Sequence, residues 1–415
     1  MFGIVEAEST AKKPPRVYSV EFWRFAFTII VALYHLEIFY QVKLMPSGTS
    51  AVEFFFTLAG FTIAMSASRR VAADGARELS PRESRSLAWD YLKKKLLMIY
   101  PVLAVVLVIT LVVIPLAGAA FPTGYNISNT GFLQKLLIQL KVLISSEWEW
   151  LMMVGTPMGF NNAAASSAPI VPLWFLTQLL AVGYFYTYII NRKYDFTMFA
   201  APLIGVLGFS YFVLNSENNL DFYIRMGVFS AGTVRAVTHM ALGISIFRIY
   251  EYMVKRDWKL SGKILLQLLE ILAIYRYCAL TFNAPLNIDN FRRIPYILII
   301  ILLSFVNITF LSKLLNRKFM QKLGKLSLTV YLIHFPAATV YYFMLSTLKR
   351  NPAIRSLPAF FLRSGGADGL YPPIPLSLGD IVMYLPFVII VSVLITLLLS
   401  GIKALRAVRK RDVNA

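Results

Sequence analysis

Cysteine is almost missing from this chain. Its 415 residues contain one, Cys278, within an apolar run, so neither a disulfide framework nor a cysteine metal site can be built, and the residue carries no information about redox compartment. Histidine is scarce as well, with three in all, and no ligand spacing of the HExxH kind joins them, so no metal is expected. Glycine loops that cradle phosphates and the strained serine turn of hydrolases are absent. No internal repeat is visible, either in tandem or as two halves with paired Gly/Pro-broken spans. The first twenty residues mix acids and bases, and no small-residue cleavage site follows a short apolar core, so no cleaved signal peptide is expected. Acids are few: 21 Asp and Glu face 41 Lys and Arg, a net charge of +20. Such an excess could signal nucleic acid, but in a chain that is 58% apolar with mean hydropathy +0.64 the charge must first be placed against the membrane.

What is abundant is long apolar sequence. Several runs exceed the ~18 residues that suggest a span, which excludes a soluble fold and gives an all-helical, polytopic membrane protein. Ten spans are expected, near 21–41, 51–68, 96–118, 172–190, 197–214, 229–249, 264–283, 294–313, 325–346 and 381–402. The chain then divides into a cytoplasmic N-terminal segment, 1–20, one transmembrane domain, 21–403, and a basic cytoplasmic tail, 404–415. With the N-terminus inside, 29 of the 41 basic residues fall on cytoplasmic segments and 10 outside. This asymmetry places both termini in the cytoplasm of a multi-pass plasma-membrane protein. It also removes the nucleic-acid reading and leaves membrane lipids as the first partner.

Two outer segments are long. The first, 119–171, contains FLQKLLIQLKVLISSEWEW, where Lys135, Gln139 and Lys141 interrupt an apolar pattern of threes and fours, so an interfacial helix is expected. The second, 347–380, is punctuated by Pro352, Pro358, Gly365, Gly366, Pro372, Pro373 and Pro375 and reads as a loop over the outer face. Asn126 and Ser128 form a glycosylation acceptor pattern, a match too short to specify modification.

Polar residues within or at the ends of spans narrow the search for chemistry: Arg24, His35, Glu37, Glu53, Gln178, Arg235, His239, Glu270, Arg276 and His334. All three histidines are among them. Ionisable groups in spans are costly and usually mark substrate or proton paths, although an interfacial anchor can account for Arg24 and a packed polar contact for His35. In RFAFTIIVALYHLE, residues 24–37, eleven helical steps bring Arg24 and His35 to within about 20° of one face, with His35 about 16 Å deeper. Glu37 lies about 200° around from His35 and cannot orient its ring.

These residues carry a resemblance. Arg24 and His35 with ten residues between them, VEFFFTLAGF at 52–61, LWFL at 173–176 and VYLIHFP at 330–336 resemble, in order, the acyltransferase 3 family of polytopic membrane O-acyltransferases. The resemblance implies transfer of an acyl group, commonly acetyl, from acyl-CoA on the cytoplasmic side to a hydroxyl of a cell-surface or lipid-linked carbohydrate. Acyl-CoA is then a co-substrate, with no permanently bound cofactor, and Arg24 and His35 are implied to be essential. Two positions depart from the family pattern: Ala59 stands where Ser is common, and Met98 where an Arg often precedes the Tyr100-Pro101 pair. The cluster Lys93, Lys94 and Lys95 reads either as a substitute donor site, with Tyr100 beside it, or as a positive-inside flank.

The expected chemistry suits the residues. Acylating a sugar hydroxyl needs a base, and neutral imidazole is matched to neutral pH, so His35 is the expected general base. Arg24 offers phosphates a planar, permanently charged, bidentate partner, with Lys94 and Lys95 as further donor-site cations. Glu53, at the outer mouth of the second span, is expected to orient groups or bind acceptor, unless it merely caps its helix; Trp174, His239 and His334 join it on the acceptor side. The alternative from another class is a secondary transporter or flippase of a sugar-containing substrate, and a third is a non-catalytic scaffold in which His35 tolerates apolar replacement.

Overall fold

The computed structural model describes residues 17–40, 45, 48–113, 173–215, 225–227, 229–283, 292–350 and 377–413. The expected interfacial helix, Asn126 and most of the 347–380 loop lie outside them, as does the side chain of Glu37. The described residues form eleven α-helices: α1 Tyr18–Tyr40, α2 Ala51–Asp74, α3 Pro81–Val108, α4 Leu173–Arg192, α5 Tyr194–Asn215, α6 Ala231–Val254, α7 Leu260–Asn283, α8 Ile294–Val306, α9 Phe310–Leu315, α10 Met320–Arg350 and α11 Leu378–Val413. A two-residue antiparallel ribbon, Arg225–Met226 with Phe229–Ser230, precedes α6.

Among the described residues, seven segments are long and apolar enough to cross a membrane: those of α1, α2, α4, α5, α7, α10 and α11. The other three expected spans are helical but fail that measure for different reasons. In α3 a charged N-terminal half runs unbroken into the apolar half. In α6 Arg235, His239, Arg248 and Glu251 dilute the apolar residues, yet the helix is largely buried. The 294–313 segment is interrupted: Asn307 takes a left-handed conformation at φ 56 and Thr309 caps α9, so one expected span becomes α8 and α9. Asn tolerates that conformation and Thr satisfies free N–H groups, which together make a compact break.

Helix burial separates core from periphery. The most apolar window of α2 is 83% buried, whereas those of α5, α7 and α11 are 28% buried and present Leu, Val and Phe outward. This suits a bundle solvated by lipid rather than water. The core pairs α1 with α10 and α2 with α6, and α4 packs on α2, α3 and α6. At the α2/α6 crossing, a Cβ added to Gly60 would run into the Met240 carbonyl, and one added to Gly243 into the Thr57 carbonyl. Small residues let the two backbones touch, the usual device where lipid supplies no hydrophobic drive between helices. Phe27 of α1 stacks on Phe54 of α2 with centroids 4.1 Å apart.

One rim of the bundle is tied by polar contacts. Gly75 closes α2 at φ 70, its N–H reaching the Val71 carbonyl at 2.9 Å. Ser80 and Glu83 then form a capping box that starts α3, and the hydrogen bonds from Ser80 hold the Glu83 carboxyl below the usual carboxylate range. Between them the Leu79 carbonyl accepts from Arg192 at 2.8 Å, while Arg70 donates to the Asn191 side chain at 2.8 Å, fixing the end of α4 to the α2–α3 connection.

Candidate active site

A cavity of about 350 Å³ opens among α1, α2, α3, α4 and α10. Arg24 and Lys95 are its two cations, and Glu21 lines it with them. Arg24 donates to the Glu21 carboxylate at 2.7 Å, an ion pair one helical turn long in which Arg24 keeps about a third of its side chain exposed. Deeper in, the walls are apolar and aromatic, with Leu58, Ile99, Phe55, Phe175 and Tyr331. The site is therefore charged at one end and greasy at the other. Its α3 wall is Lys95, Met98 and Ile99, the i, i+3, i+4 stripe of one helix face. Lys94 and Tyr100 fall off that stripe and are exposed, so the structure brings Lys95 to the cavity without them.

Beyond the aromatic wall lies a histidine pair. Tyr331 lines the cavity and its ring is 5.9 Å from that of His334, which in turn is 5.1 Å from that of His35. His35 is half-buried and its Nδ1 has no hydrogen-bond partner among the described residues; His334 is fully buried. His334 Nδ1 is 2.7 Å from the Tyr331 carbonyl. A carbonyl only accepts, so Nδ1 carries the proton and Nε2 keeps a free lone pair. Tyr384 of α11 donates to the His334 carbonyl at 2.9 Å, anchoring this part of α10 from the other side.

The remaining residues expected on the acceptor side form a separate cluster. Glu53 is bonded to Arg235 of α6 at 2.7 Å, both nearly inaccessible. The Arg235 guanidinium sits 5.2 Å over the Trp174 ring and also donates to the Thr49 carbonyl at 3.2 Å. His239 donates from Nδ1 to the Arg235 carbonyl at 2.7 Å, which leaves its buried Nε2 without a partner among the described residues. Glu53 is thus the counter-ion of a buried arginine. Breaking such a pair is costly because it strands the other charge.

One participant escaped the sequence reading: Glu21, although its i, i+3 relation to Arg24 was available as a signal. Arg235 was singled out as a polar residue in a span, but nothing local identified its partner Glu53, 182 residues away.

Comparison with known proteins adds one finding. The family model described as an acyltransferase domain, that of acyltransferase 3, matches residues 17–401. No curated protein and no solved structure matches.

Proposed function

The chain belongs to the acyltransferase 3 family of polytopic membrane acyltransferases, and from that premise we propose that it moves an acetyl group from acetyl-CoA on the cytoplasmic side to a hydroxyl of a cell-surface or lipid-linked carbohydrate. One observation carries the proposal: Arg24 and Lys95 stand at the charged end of a cavity whose aromatic wall, through Tyr331, adjoins the His35–His334 pair. A nucleotide thioester has the same polarity, with phosphates at one end and an extended apolar-tolerant arm leading to the reacting carbonyl.

In this reading the cations at the mouth hold the phosphates by charge-assisted hydrogen bonds. Arg24 stays oriented because Glu21 takes one of its N–H groups and leaves others for the ligand. Met98, which replaces the arginine common in the family, lines the cavity, as does Ala59 in place of serine. Lys95 is then the second cation available to the donor. His35 removes the proton from the acceptor hydroxyl as its oxygen attacks the thioester carbonyl carbon. The tetrahedral adduct collapses, the carbon–sulfur bond breaks, and the thiolate leaves with the proton returned from the imidazolium. A neutral His334 beside His35 keeps the positive charge on one ring of the pair, since two adjacent imidazolium ions repel. The buried Glu53–Arg235–Trp174 cluster ties α2, α6 and α4 together and so acts as a frame that positions the helices around the reacting groups rather than as a surface the acceptor touches.

Family membership favours this over transport of a sugar-containing substrate. The direct test is mass spectrometry of cell-envelope glycans with and without the protein. Loss of O-acetyl groups from a defined carbohydrate in its absence is the expected result, and an unchanged acylation profile overturns the acceptor assignment.

A further inference from the structure

A second cavity, about 700 Å³, lies where the ends of α2 and α6 meet the start of α5. It is not an extension of the first. On α2 the active-site cavity is lined by Phe55, Leu58, Ala59 and Thr62, and the second by Ser68, Val71 and Ala72, with Gly75 just past the helix end. At 100° per residue, Val71 is diametrically opposite Thr62 on the helix. The two cavities therefore occupy different faces of α2.

The charges around the second cavity are unequal. Arg77, Arg248 and Lys255 face Asp195 and Glu251. Asp195 is already paired with Arg77 at 2.5 Å, and Glu251, which accepts from the Ser68 hydroxyl at 2.5 Å, keeps its negative charge, so the lining carries a net charge of +1. Arg248 and Lys255 have no ion-pair partner among the described residues. Lys255 caps the end of α6, seven residues after Arg248, so the two lie about two turns apart on nearly the same side of the helix. Phe199 of α5, 74% exposed, also lines the cavity. From Phe199 an outward stripe continues along α5 through Leu203, Val206, Leu207 and Leu214, all exposed, within an arc of about 100°.

We propose that this cavity binds an anionic glycerophospholipid, its phosphate held by Arg248 and Lys255 and one acyl chain laid along the α5 stripe. Cationic pockets between membrane helices at the interface recognise acidic head groups. The combination here is specific to an amphiphile: a free phosphate has no use for the apolar stripe, and a neutral lipid has none for the two unpaired cations. The inference does not depend on acyl transfer, because it concerns another face of α2 and is read without acyl donor.

The test is native mass spectrometry of the full chain released from nanodiscs containing equal phosphatidylglycerol and phosphatidylcholine. Retained phosphatidylglycerol is expected for the wild type, with about tenfold less for the Arg248→Gln/Lys255→Gln protein and no loss for Arg82→Gln/Arg85→Gln, which removes two charges from the exposed start of α3. Equal retention of the two lipids by wild type, or undiminished phosphatidylglycerol in Arg248→Gln/Lys255→Gln, overturns the proposal. Displacement of the lipid by millimolar inorganic phosphate overturns it too, since the site would then read phosphate alone. Should the double variant fail to fold, Lys255→Gln and the head-group preference of the wild type still decide the matter.

Discussion

At the scale of single residues the proposed mechanism separates binding from proton transfer. His35 sits beside His334, so its proposed role as base rests on a ring–ring neighbour that holds its own proton on Nδ1. Replacing His35 with Gln keeps polarity and approximate volume; the protein should insert and pack while turnover falls by about 10²–10⁴-fold. The measurement is glycan acylation per mole of folded, detergent-extracted protein, and near-normal specific activity would remove His35 from the mechanism. Arg24 makes a different prediction. Lys in its place keeps a charge opposite Glu21 but loses the planar fork, so acyl-CoA affinity should drop by roughly tenfold or more with the melting temperature little changed. Unchanged affinity in Arg24→Lys would reduce Arg24 to an interfacial anchor. Both residues were legible in the sequence because they share one helix and one face. The His35–His334 contact was not, since it joins helices at opposite ends of the chain and no local spacing encodes it.

At the scale of the element, helix phase decides what is seen and what is missed. Lys94, Lys95 and Tyr100 look equivalent as a basic-aromatic cluster, but in helix phase Lys95 falls between Met98 and Ile99, whereas Lys94 lies about 40° beyond Met98 and Tyr100 about 100° beyond Ile99, and Lys95 alone of the three lines the cavity. Phase arithmetic applied to α3 would have separated them, had its charged half been recognised as part of the same helix. The break after α8 was likewise written in the sequence, as Asn307 followed by a capping Thr309, but apolar length masked it. The α2/α6 crossing yields a stability prediction. Gly60→Ala must push against backbone of α6 rather than a pliable side chain, so it should cost about 1–3 kcal/mol, the usual range for overpacking. Gly401→Ala, with open space around its added Cβ, should be nearly neutral. Thermal melting of the two variants in one detergent checks this, and equal midpoints would show that the crossing is looser than its glycines imply.

At the scale of the whole molecule the question is which side each end faces. Among the described residues seven segments meet the length and hydropathy of a span, and the ten-crossing topology expected from sequence requires α3, α6 and the α8–α9 pair to cross as well. An odd total would put the ends of the chain on opposite sides of the membrane; ten returns them to one side. On the proposed topology, the split of basic residues, 29 against 10, puts that side in the cytoplasm, where Arg24 and Lys95 would meet the phosphates of the proposed donor. Topology and mechanism are therefore coupled: inverting the molecule would turn the cationic mouth away from cytoplasmic acyl-CoA. Reporter fusions within 1–15 and 405–415 should both report a cytoplasmic location. Opposite locations would mean an odd number of crossings, with one of the three polar helices failing to span. Two external locations would keep the fold but require a donor delivered from outside, and the assignment of Arg24 and Lys95 to cytoplasmic acyl-CoA would fall with the orientation.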